Sequence, residues 1–273
     1  MTGRLDEERL RRFRLAAQRL TPATAAADVS AAARAVVGVQ AQDVRAAGLA
    51  LRSRAPGLRR ADVDGSGLVR TWTVRGTVHL IDPSDWPWLQ AVVGLWNRVR
   101  FEAAMRQRGD HDVAVGMLDD IVAVLRDRPL DRAGLLRELA ARVVVRPGAR
   151  HGSPGPRRPV AHGGSGELLA LPGTLDATPP PAPPALLLAA FDTIMLGYRT
   201  RAPLVMAEDD RHILPGGEML RPAVLIDGLA AGTWTLTANG KRRSVTIDWF
   251  RRPAESPELR AEQLSVESFP GPG

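Results

Sequence analysis

Residues 141–185 carry 10 prolines and 7 glycines with few large apolar side chains, and this stretch limits every fold open to the chain. Proline has no N–H to give and glycine has no side chain to pack, so neither a long helix nor a central strand is expected there. Its last part, ATPPPAPPA (177–185), reads as a polyproline-type linker. Ordered structure is therefore expected from what lies before and after it. The 273 residues allow a real core and two or three modest domains.

Before the break the chain reads as helices and then a hairpin. Leu10, Phe13, Ala17 and Leu20 recur at helical spacing until Thr21-Pro22. Asp28 can cap a second helix with Val29, Ala33, Val36 and Val37 on its buried face, ending near Gly38. A third is predicted from about Val44 to Arg54. LVRTWTVRGTVHLI (68–81) then alternates and is rich in β-branched residues, with Arg75-Gly76 as its turn. Three helices followed by a hairpin is the winged-helix arrangement. Another helical stretch, from Pro83 to Arg108, carries Trp86, Trp88, Trp96 and Phe101, expected as core packing. The helices predicted at 113–127 and 130–143, the latter capped by Asp131, resemble the start of a second helix-turn-helix unit that the Pro/Gly-rich segment leaves incomplete.

After the break, residues 212–250 alternate like strands, and Asp227-Gly228 and Asn239-Gly240 are hairpin-turn dipeptides. The expected fold class is α+β: winged-helix units at the N-terminus, an irregular middle, and a small C-terminal antiparallel domain resembling a β-barrel. The domains are drawn at 1–110, 111–143, 144–185 and 186–273. From Arg251 a short helix and a disordered SFPGPG tail are expected.

Charge narrows the function. The formal net charge is +7, and lysine appears once, at Lys241, beside 36 arginines. Codon bias in a GC-rich genome and selection for phosphate contacts both explain abundant arginine. Residues 1–110, however, hold 18 arginines against 11 acids, while 111–185 and 186–273 are close to neutral. Codon bias spreads charge along a chain, whereas a phosphate-binding face localises it. A DNA-binding surface is expected in the first 110 residues.

Other classes are not supported. With no cysteine, neither a disulfide framework nor a thiolate metal site is available. The charged N-terminus has no apolar signal-peptide core, and apolar runs such as ALLLAAF (185–191) fall short of the roughly 20 residues a spanning helix needs. A cytoplasmic, nucleoid-associated location is expected, with no membrane partner. There is no P-loop, no dinucleotide fingerprint, no HExxH and no GxSxG. The histidines at 79, 111, 151, 162 and 212 show no metal-ligand spacing, so no metal or other cofactor is expected. His79, alternating with Val78 and Leu80, is read as solvated or structurally bonded rather than catalytic.

VGVQAQDVRAAGL (37–49) is the segment with chemical potential. Gln40 and Gln42 flank one alanine beside Asp43. Neutral amides can hold a water or read a base edge. Equally, Gln40 can close one helix while Asp43 opens the next. Spacing leaves both readings open.

VVGVQAQD together with LVRTWTVRGTVHLIDPSDWPWL resembles the winged-helix DNA-binding family that includes AlkZ-type DNA glycosylases, enzymes that unhook interstrand crosslinks. FDTIMLGYRTR and LPGGEMLRPAVLIDGLAAGTW resemble that family's closing β-barrel. The resemblance covers about residues 5–143 and 186–250. It implies tandem winged-helix units set against a barrel, a basic concave surface, duplex DNA (alkylated or crosslinked) as partner, and a Gln-x-Gln catalytic motif at Gln40 and Gln42. DNA contacts are expected from Arg45, Arg70, Arg75 and Thr77. Two departures stand out: ADVDGSGLV (61–69) is short for the helix that enters the hairpin, and the second unit lacks its completion. A non-catalytic DNA-binding protein and a decayed paralogue are the alternatives.

Overall fold

The computed structural model describes residues 6–109, 111–142, 177–216, 219–240 and 242–269. The chain forms two compact units that do not follow the boundaries drawn from composition: Met1–Val93 with Pro172–Gly273, and Gly94–Leu171.

The larger unit begins with α1 (Glu7–Ala17), capped by Asp6, and α2 (Val29–Ala35), where Asp28 accepts from the Ala31 N–H as its N-cap. Val37 and Gly38 are both left-handed (φ 60° and 89°) and reverse the chain into a short strand, β1 (Val39–Gln40). Val37 is exposed, a correction to its expected burial, because the helix has ended two residues before it. Helix α3 (Val44–Arg54) follows, then α4 (Arg60–Asp64) and the hairpin β2 (Val69–Trp72) and β3 (Val78–Ile81). The sheet order is β1-β3-β2, all antiparallel. Gly38 allows the close approach: a Cβ there would meet Ile81 Cγ2 at 2.7 Å and the Leu80 carbonyl at 2.9 Å. A one-turn helix, α5 (Trp86–Leu89), closes this half.

The second unit contains α6 (Leu95–Arg108), α7 (His111–Asp127) and α8 (Arg132–Arg142). Asp131 accepts from the Gly134 N–H at 2.7 Å, the cap expected of it. The expected core packing of the aromatics is not found. Trp86 and Trp88 on α5, and Trp96 and Phe101 on α6, are exposed, and α6 buries no residue. At 100° per residue, Leu95, Val99 and Trp96 fall within a 100° arc of α6 and Phe101 lies on the opposite side, all of them exposed.

The rest of the larger unit is a four-stranded antiparallel sheet of β4 (Ala185–Leu188), β5 (Ala223–Ile226), β6 (Leu229–Asn239) and β7 (Arg242–Trp249), in that order. Helices α9 (Thr193–Leu196) and α10 (Asp210–Ile213) lie between β4 and β5, and α11 (Pro257–Ser268) follows β7. Asp227 and Gly228 both have positive φ, the turn that a two-residue hairpin loop requires. The expected barrel is not formed. β4 and β7 remain open edges, and α11 packs against both strands, covering a face that closure would otherwise have buried. The tail is ordered further than expected too: Phe269 is buried against the α2 and α3 core.

The described part of the expected linker is not a linker. Arg12 of α1 donates to the carbonyls of Pro179 (2.6 Å) and Pro180 (3.0 Å), Pro179 and Pro183 are buried, and Ala182 packs on the core. An extended polyproline run makes no internal backbone hydrogen bonds, so its carbonyls are open to accept from the arginine. Residues 143–176, where the other expectations for the Pro/Gly-rich middle fall, lie outside the described residues.

Candidate active site

The site is built where β1 meets the N-terminus of α3. Extended backbone turns alternate side chains to opposite faces. Ala41 accordingly enters the core with no exposure, while Gln40 and Gln42 share the other side. Gln40 Nε2 donates to Gln42 Oε1 at 2.6 Å. Gln40 is buried and Gln42 is exposed, so the pair leads from the sheet to solvent. Neither glutamine caps a helix. Asp43 does, its Oδ1 accepting from the Arg45 N–H (2.8 Å) and the Ala46 N–H (3.2 Å).

The hairpin supplies the other wall. Gln40 lies directly opposite His79 in the β1–β3 register, and Thr71 of β2 lies opposite His79 on its other side. In the turn, Arg75 has φ 58° and its Nη2 donates to Gln40 Oε1 at 3.4 Å. Both polar atoms of the Gln40 amide are thus engaged. Partial burial of the Arg75 guanidinium lowers its pKa from the usual arginine range. The Thr77 carbonyl accepts twice, from the Thr73 N–H at 3.0 Å and from His79 Nδ1 at 3.1 Å, so one oxygen ties the turn to the imidazole.

His79 is buried, not solvated. It shares the buried face of β3 with Ile81, and β1, which was not foreseen, makes β3 the central strand of the sheet. Burial lowers its pKa, a lowering the field of Arg75 reinforces and the Thr77 carbonyl opposes.

The sequence-predicted residues converge unequally. Gln40, Gln42 and Arg75 form one hydrogen-bonded group. Arg70 is exposed on the outer strand β2, and its Nε donates to the Ala41 carbonyl between the two glutamines at 2.8 Å. Arg45 is exposed on the first turn of α3, close to Gln42 in sequence. Thr77 is turned to a structural task, its hydroxyl donating to the Val74 carbonyl at 3.1 Å. Sequence reading missed Trp72, which is 64% exposed on β2. An aromatic next to the turn on a two-sided polar edge was the available signal.

A model of the family described as "DNA glycosylase AlkZ-like" matches residues 33–162 and 154–267. The amide pair and its arginine-bearing hairpin therefore sit in a protein of the DNA glycosylase class, a DNA-binding hydrolase of DNA repair. The chain belongs to the AlkZ-like DNA glycosylase family. Among solved structures, the Streptomyces sahachiroi DNA glycosylase AlkZ is similar, with a TM-score of 0.67 and 17% identity over 97% of this chain and 96% of that one. At that identity the likeness is one of fold. No curated protein matches the chain. Among the described residues, no helix is long and apolar enough to cross a membrane.

Proposed function

We propose that the protein hydrolyses the N-glycosidic bond of N-alkylated purines in duplex DNA, crosslinked purines included, through Gln40 and Gln42. The observation that carries this reading is the 2.6 Å amide pair, placed at the edge of an arginine-bearing hairpin in a chain of a DNA glycosylase family. An N7-alkylated purine already bears positive charge and can leave without a general acid. The protein then has to hold a water against C1′ and tolerate an oxocarbenium-like sugar. With Gln40 Nε2 committed to Gln42 Oε1, the Gln42 amide nitrogen and the second Gln40 N–H are left to orient that water.

In this reading α2, α3 and the three-stranded sheet act as a winged-helix unit, and α7 and α8 begin a second. Arg45, Arg70 and Arg75 meet phosphates on either side of the lesion, and Thr77 holds the turn that presents Arg75. Exposed Trp72 is placed to press on the groove or the lesion-bearing step. Incubation with N7-alkylated duplex DNA is expected to release free alkylated base and leave an abasic site. Retention of every alkylated base by folded, DNA-bound protein would refute the proposal.

A further inference from the structure

We propose that His79 accepts the proton of the hydrolytic water at Nε2, giving the site the base that a pair of amides cannot supply. The inference rests on the glycosylase reading above and adds a residue to it. A glutamine can orient water but cannot take its proton at neutral pH, so the proton needs a destination.

The geometry assigns the imidazole tautomer. A carbonyl oxygen can only accept, so His79 Nδ1, at 3.1 Å from the Thr77 carbonyl, carries the ring proton. Nε2 then holds a lone pair, and among the described residues no hydrogen bond engages it. His79 and Gln40 are directly opposed on antiparallel strands, which places their side chains on the same face with Cβ atoms about 5 Å apart. Arg75 bonds to Gln40 and its charge acts on His79, so the three belong to one cluster.

The surroundings keep the ring neutral. Gln40 of β1 and Thr71 of β2 are uncharged, and Arg75 of the turn is the cation whose field acts on the ring. Helix α2, which packs on β3, brings Arg34, which pairs with Asp85 at 3.6 Å; Asp82, just past β3, bonds to Ser30 and Ser84. No carboxylate among these groups raises the affinity of His79 for a proton.

The step balances. The water oxygen bonds to C1′ and the C1′–N9 bond breaks. Its electron pair enters the purine and neutralises the cation, and the water's proton passes to His79 Nε2. Solvent then removes the proton. The Nδ1–H to Thr77 bond is kept throughout, so the imidazolium that forms has a partner already in place.

The discriminating variant is His79→Asn, whose amide N–H can replace Nδ1–H on the Thr77 carbonyl while offering no basic nitrogen in place of Nε2. Single-turnover base release from N7-alkylated duplex DNA would be followed from pH 5 to 9, beside thermal melting and DNA binding of the same preparations. Wild type is expected to show a rate that rises with pH through one ionisation and then levels. His79→Asn is expected to melt and bind as wild type does, but to release base at a rate lower by roughly 100-fold or more and flat with pH. An asparagine variant with the wild-type rate and the same pH limb overturns the assignment, leaving the glycosylase reading intact. Wild type that binds DNA but releases no base overturns that reading and this one together. Long-range ¹H–¹⁵N spectra of histidine-labelled protein need no turnover: the Nδ1–H tautomer at His79 is expected, and an Nε2–H tautomer overturns the proposal.

Discussion

Arg54 of α3 forks onto both carboxylate oxygens of Asp192, each at 2.8 Å, and neither side chain is exposed to solvent. The same guanidinium donates to Thr193 Oγ1 at 2.7 Å and Gln18 Oε1 at 3.1 Å. Two residues earlier, Arg52 makes a second fork to Glu262 of α11, at 2.7 and 3.1 Å. Helix α3 thus carries the glutamine pair at its N-terminal end and is pinned at its C-terminal end to the sheet half of the unit. The site's frame is therefore set by ion pairs reaching across more than a hundred residues of sequence.

Removing one partner of the buried pair leaves the other as an unpaired buried charge. Arg54→Leu is expected to destabilise the protein by about 3–5 kcal/mol, because the attraction is lost while the cost of desolvating Asp192 remains. Denaturant melts of the variant and the wild type measure this. A loss under about 1 kcal/mol would mean that the pair does not hold the two halves together.

Gln40→Ala removes both the donor to Gln42 and the acceptor for Arg75. Base release is expected to fall by roughly 100- to 1,000-fold, the scale on which loss of one preorganised polar group is felt. Gln42→Ala, at an exposed position, should leave the melting temperature unchanged while also suppressing release. Unaltered single-turnover rates in both would remove the pair from the chemistry.

Gly38→Ala tests the approach of β1 to β3. The new methyl would meet Ile81 and the Leu80 backbone at a φ of 89°, so a loss of about 1–3 kcal/mol is expected, together with impaired base release. Gly57→Ala is the control: its φ is 87°, but nothing lies within 4 Å, so only backbone strain is added. Equal destabilisation of the two would show that crowding at β1 is unimportant.

Asp82 accepts from the hydroxyls of Ser30 and Ser84 and from the Ser84 N–H, which together hold its pKa at about 2. A depressed carboxyl pKa contributes stability above the ordinary carboxylate range near pH 4, and that contribution is lost as the pH falls through about 2. The melting temperature should therefore drop between pH 4 and pH 2, and Asp82→Asn should flatten that limb. Parallel acid limbs in variant and wild type would contradict the linkage.

Salt should weaken DNA binding in proportion to the phosphates met. Arg45→Ala and Arg70→Ala are each expected to reduce the slope of log K against log salt by about 0.9 for duplex DNA. Fluorescence anisotropy between low and physiological salt reads this directly. An unchanged slope would take that arginine off the phosphate backbone.

Local chemistry made much of this legible. The Asp28, Asp43 and Asp131 caps, the Val44–Arg54 helix, the Arg75-Gly76 and Asp227-Gly228 turns and the i, i+2 glutamine spacing are all written within a few residues of where they act. Each depends on a side chain meeting backbone it adjoins, so tertiary context had little to override. The family likeness rested on such short motifs, and they carried it across residues that differ widely in sequence.

Long-range pairing decided the rest. A two-residue strand has too little pattern to be seen, yet β1 makes β3 the central strand and sets Gln40 opposite the buried His79. The fork of Arg54 on Asp192, the seating of Pro179 and Pro180 along α1, and α11 on the open sheet in place of barrel closure join segments whose separate sequences hold no trace of one another. Sequence periodicity reports which face of an element is apolar, not which distant element will cover it. Residues 1–110 hold the arginine excess and the glutamine motif in plain view, and only the folded chain sets an imidazole from the hairpin opposite Gln40.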